Sequence, residues 1–180
     1  MDANIKVKDC FANARKDDNK RRKHKGLLIV ERDDRKATEY IQKAKLNLRI
    51  CKFYKDNRLD YKLPEEWFYT IYYCALAILA KFGIDSRSQR CTALFLKYAK
   101  DKGLIDYNDE FIDRIMVYHD KGHKSDVDNR ENARYEPSIR NDSIIQKYNT
   151  MMGVCEKCIS QCEDIVSSDK DFKVPEETMP

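Results

Sequence analysis

The run Glu65–Gly83, EEWFYTIYYCALAILAKFG, constrains the fold more than any other stretch of this chain. At helical spacing Trp67, Ile71, Cys74, Ala75, Ile78, Leu79 and Phe82 fall on one broad face. Phe68, Tyr72, Leu76 and Ala80 cover much of the remainder, so protein is expected on both sides. A helix that is apolar nearly all round belongs in the middle of a bundle, where the small residues Cys74, Ala75, Ala77 and Ala80 let neighbours approach closely. Pro64, Glu65 and Glu66 suit a first turn at the positive end of the helix dipole, and Gly83 stands where a C-terminal cap is needed. Lys81, the two Glu and the many Tyr make the run a poor membrane span, so no membrane association is expected.

The rest of the chain agrees with a helical protein. Its 180 residues are 42% apolar, enough for a core, and the five Gly and four Pro lie mostly between periodic segments. The expected fold is all-α, an up-and-down four-helix bundle with an additional short helix. Lys and Arg exceed Asp and Glu by only four, so no whole-molecule field demands a nucleic acid. The N-terminus is charged and lacks a secretory h-region; the seven Cys are therefore read as thiols of a soluble, cytoplasmic protein.

Residues 1–34 read as a basic N-terminal arm with a short helix on Ile5, Val7, Cys10, Phe11 and Ala14. The arm holds RKDDNKRRKHK, Arg15–Lys25, with seven cations against two Asp. It is either a solvated segment or a salt-sensitive phosphate contact through Arg21, Arg22, Lys23 and Lys25. Residues 35–168 form the bundle: helices over 35–57, 65–83, 89–102, 107–119 and 138–167, with a short helix at 129–136 stopped by Pro137. Asp33 or Asp34, and Ser86 or Ser88, are the expected N-caps of the first and third of these helices. Residues 169–180 read as a flexible acidic tail.

Three constellations invite chemistry. Cys155, Cys158 and Cys162 begin with zinc-like spacing, but no second pair exists, and at helical steps they continue the stripe of Tyr148 and Met152 as core thiols. His119 and His123 flank a break at Gly122 and read as solvated loop residues, so no metal is expected. Arg130 and Arg134 share a face of the short helix beside Asn132 and Tyr135, and two guanidiniums there can hold phosphates bidentately or pair with Glu131 and Glu136.

With these residues placed, the chain resembles the HEPN superfamily of prokaryotic helical domains. The resemblance rests on order. KHKGL (Lys23–Leu27) is followed by a helix of AxxYIxKAxxNL type (Ala37–Leu48) and by WFYTIYYCALAILAKFG (Trp67–Gly83). SRSQRCTALFL (Ser86–Leu96), RENARYEP (Arg130–Pro137) and a long terminal helix complete it. It implies a four- or five-helix bundle, commonly a homodimer with Tyr69, Tyr72 and Tyr73 as candidate lining of the dimer groove, often beside a minimal nucleotidyltransferase in toxin–antitoxin modules. Active relatives carry an Arg and, four to six residues on, a His, and cleave RNA without metal through attack of the 2′-hydroxyl. Here Arg130 takes the Arg position and Tyr135 the His position, with Glu131 in place of the usual Asn or Asp. A phenol with a pKa of about 10 is a poor base at neutral pH. What the resemblance implies is therefore a cofactor-free dimeric module that binds a nucleotide, RNA phosphates or a nucleotidyltransferase. The alternatives are a metal-independent endoribonuclease using Arg130, and a purely structural helical dimer.

Overall fold

The computed structural model describes residues 3–116, 130, 133, 135 and 142–179. In chain order they form α1 (Ala3–Asn19), β1 (Leu27–Ile29), α2 (Asp34–Asp56), a 3-10 turn (Asp60–Lys62), α3 (Leu63–Lys81) and β2 (Ile84–Ser86). Then follow α4 (Gln89–Asp101), α5 (Asp109–Ile115), α6 (Asp142–Gln146), α7 (Tyr148–Ser167) and a last 3-10 turn (Glu176–Thr178). The protein is largely all-α, with one small antiparallel ribbon in which Leu28 faces Asp85. None of these helices is long and apolar enough to cross a membrane.

Helix α3 is the centre. Trp67, Phe68, Ile71, Cys74, Ala75, Ile78 and Leu79 are buried. It packs against α2, α4, α5 and α7. The hairpin with α2 is antiparallel: Asp33 N–H reaches the Ala80 carbonyl at one end, and the Asp60–Lys62 turn closes the other. Helix α7 runs parallel to α3. The Cys155 thiol lies 3.8 Å from the Trp67 carbonyl and the Cys162 thiol 3.3 Å from that of Cys74, two contacts seven residues apart on both helices. Cys158, between them, meets the buried Tyr107 hydroxyl at 3.1 Å. These thiols fill the core. Asp33 caps α2 through the Lys36 N–H, and Ser88 caps α4 through that of Cys91.

Several expectations are corrected. Helix α1 is not short: it runs on through Arg15–Asn19, the first part of the basic stretch, and leaves Ile5 53% exposed while Val7, Phe11 and Ala14 are buried. Leu27–Ile29, within the expected basic arm, is a strand, because Gly83 turns the chain after α3 and offers Ile84–Ser86 as its partner. The helix expected over 107–119 is Asp109–Ile115, capped by Met116 in extended backbone, and residues 117–119 lie outside the described residues. A turn at Lys147, unmarked by Gly or Pro, separates α6 from α7. The acidic tail packs rather than frays. Phe172 lies 4.9 Å from Phe82, Thr178 is buried, and the Tyr98 hydroxyl donates to Glu177 at 2.7 Å. Cys10 and Cys91 are not thiols; they form a disulfide that ties α1 to α4 across 81 residues.

Candidate functional site

One face of α3 escapes the core. Tyr69, Tyr72, Tyr73 and Leu76 recur at helical steps and are only half-buried. They form the outer stripe of the central helix. Tyr40 of α2 stacks on Tyr73, with centroids 6.1 Å apart and planes inclined by 19°. Tyr73 neighbours Tyr69 at 5.9 Å, and Tyr72 stacks on Phe68 at 5.7 Å. The Lys43 ammonium lies 5.8 Å from the Tyr40 ring and 5.6 Å from that of Tyr73, which is cation–π range. Burial raises the Tyr72 and Tyr73 phenols, so both stay neutral and able to donate hydrogen bonds at pH 7.

Arg130 joins this strip. Its guanidinium carbon stands 4.4 Å from the Phe68 ring centroid and 5.8 Å from that of Tyr69. The residue is half-buried and Ala133 is buried, whereas Tyr135 is 80% exposed. Arg130 and Tyr135 therefore do not share an enclosed pocket. Asn132 and Arg134 lie outside the described residues, as do Glu131, Glu136, His119, His123 and Pro137.

At the opposite end of the strip Lys36, one turn before Tyr40 on α2, leads to a charge cluster on β2. Asp85 receives Lys36 at 2.8 Å and His24 at 3.0 Å, with Arg87 at 3.6 Å. His24 is buried, and the geometry places its donating N–H on Nε2, toward the carboxylate. Burial opposes ionisation of Asp85, but the hydrogen bonds from Lys36 and His24 outweigh it and hold its carboxyl below the usual range. His24 thereby anchors the loop that carries Arg21, Arg22, Lys23 and Lys25, all exposed. Asp17 also receives the Lys25 N–H at 3.2 Å, so the basic loop is tied at two points.

The basic loop and Arg130 do not form one site. Phe68 and Ala80 are twelve residues apart on α3, which at helical rise puts the two ends of the strip about 18 Å from one another. The tyrosines bridge that interval. Sequence reading singled out Arg130 and the three α3 tyrosines but missed Phe68, Tyr40, Lys43 and the His24–Asp85–Lys36 cluster. Phe68 reads as core, which it also is, and a His inside a basic run carries no local sign of a carboxylate 61 residues away. Among the described residues no group of His, Cys, Asp and Glu is arranged to hold a metal. Compared with family models, curated proteins and solved structures, the chain finds no match.

Proposed function

We propose that the protein is a HEPN-like, non-cleaving module that binds single-stranded RNA along the strip from Arg130 to Lys43. The placement of Arg130 over Phe68 and Tyr69, at the head of a run of half-exposed tyrosines, carries this reading. A guanidinium held on an aromatic face is preorganised for a phosphate, and tyrosine rings give bases a sequence-tolerant platform. The basic loop at Arg21–Lys25 adds salt-dependent attraction at the far end. Following the resemblance, two copies pair, and a minimal nucleotidyltransferase of a toxin–antitoxin module is the expected protein partner.

Fluorescence anisotropy with a labelled single-stranded RNA in EDTA tests the reading. Each stacked base contributes about 1–3 kcal/mol, so Tyr73→Leu is expected to weaken binding at least about fivefold, and Arg130→Gln likewise. Gel analysis of the same samples separates the alternatives. RNA cleavage that disappears in Arg130→Ala would establish the endoribonuclease instead. Neither binding nor cleavage, with a dimer by light scattering, would leave a structural protein.

A further inference from the structure

A second feature lies beyond the basic-loop end of the strip and shares Lys25 with that loop. Between α1 and α4 is a cleft of about 310 Å³, within the range of small-molecule sites. Lys6, Lys25 and Arg90 line it against a single carboxylate, Asp9. The Cys10–Cys91 disulfide also lines it. The five other cysteines are fully buried in the core at 0% exposure, whereas Cys10 and Cys91, 7% and 8% exposed, border this cleft. The two sulfurs are not equivalent. Cys91 is the third residue of α4, and its N–H is held by the Ser88 cap at 3.3 Å, at the positive end of the helix dipole. A thiolate is stabilised there and leaves more readily.

We propose that this cleft docks an anionic low-molecular-weight thiol of the glutathione class, which opens the Cys10–Cys91 bond by exchange. The bound thiolate attacks the Cys10 sulfur in line with the disulfide. A new bond forms between the ligand sulfur and Cys10 while the Cys10–Cys91 bond breaks, and its electron pair leaves on Cys91 as a thiolate. A second thiolate then attacks the ligand sulfur of the mixed disulfide. It releases the oxidised ligand dimer and the Cys10 thiolate, so one protein disulfide is reduced and two ligand thiols are oxidised. Three cations over one anion select the acidic thiol and raise its local concentration. The helix does not depart when the bond opens. Val7, Phe11 and Ala14 stay buried, and Phe11 packs edge-on to Phe95 at 6.3 Å, so α1 is loosened and the fold kept. This inference does not depend on RNA binding.

The test uses the full oxidised chain with reduced glutathione or its diethyl ester, which lacks both carboxylates, at matched thiolate concentration. Opening is followed by alkylation and mass spectrometry. Glutathione is expected to react about tenfold faster than the ester, with the advantage falling toward parity in the Lys6→Gln, Arg90→Gln double variant and at high salt. The trapped mixed disulfide should sit on Cys10. Equal rates for acid and ester, an advantage unchanged in the double variant, or a mixed disulfide on Cys91 alone would each overturn the proposal. So would a chain whose Cys10 and Cys91 remain alkylatable after oxidation. Circular dichroism of the double variant checks that these two surface changes leave the helices intact.

Discussion

Gly83 gives a perturbation whose cost can be worked from geometry, with a control inside the same chain. It follows α3 at φ +71°, and its carbonyl accepts the Val30 N–H at 2.9 Å, which locks the ribbon. A Cβ at this position would stand 2.7 Å from the Val30 carbonyl oxygen, closer than backbone atoms tolerate. Gly103 has nearly the same backbone, φ +67°, but a Cβ there meets nothing within 4 Å. Left-handed strain for a non-glycine residue is about 1–2 kcal/mol, so Gly103→Ala should cost that and no more. Gly83→Ala carries the same strain and must also push β1 away, at the expense of the Val30 bond, a further 0.5–1.5 kcal/mol or about that. The expected total for Gly83→Ala is about 1.5–3.5 kcal/mol. Urea unfolding measures both variants, and hydrogen exchange should show the Val30 amide losing protection only in Gly83→Ala. Equal costs for the two substitutions, or a neutral Gly83→Ala, would refute the reasoning.

Two further outcomes follow from the titrating groups. Asp85 has its carboxyl held below the ordinary 3.8, so its contribution to stability is complete above that value and is lost as the pH falls through the lowered one. Asp85→Asn should therefore be less stable at pH 7, because Lys36 and His24 lose their carboxylate, and should show a flatter acid limb in unfolding between pH 5 and 2; an unchanged limb would count against the cluster. Burial pushes the Cys51 thiol up to about 12 and raises Cys158 as well, and all five free cysteines are buried. A chromogenic disulfide reagent at pH 8 should accordingly find no fast thiol in the native oxidised chain and five after unfolding; a rapidly titrating thiol in the native state would contradict the packing.

Helices α2, α3 and α4 were legible because each carries a long apolar period, bounded by signals with a local cause: Asp33 and Ser88 as caps, Pro64 at the start and Gly83 at the end. The ribbon was not, since three residues of Leu-Leu-Ile show no alternation and their partner follows a helix 55 positions away, at Ile84 for Ile29. The packed tail escaped notice for a related reason. Its acidic composition outweighs two apolar residues in any window, yet Phe172, Val174 and Thr178 are buried and Glu177 is bonded to Tyr98. Nothing in spacing joins Cys10 to Cys91 across 81 residues, so reading all seven cysteines as thiols followed composition and missed the one pair that the α1–α4 contact brings together.

The candidate site divides along the same line. Arg130 and the outer tyrosines could be named from the chain, because charge and exposed aromatics stand out locally. Their common support could not. Phe68 is 1% exposed and reads as pure core, but the same ring packs against both Arg130 and Tyr72. Placing the platform of a binding strip inside the core makes it rigid, which favours preorganised contacts. It also couples binding to folding: truncating Phe68 would remove both at once, at about 3–5 kcal/mol for a buried phenylalanine. Tyr73 and Lys43 lie farther out on the strip, one half-buried and the other exposed. Substitutions there, rather than at Phe68, can therefore separate a loss of ligand from a loss of structure.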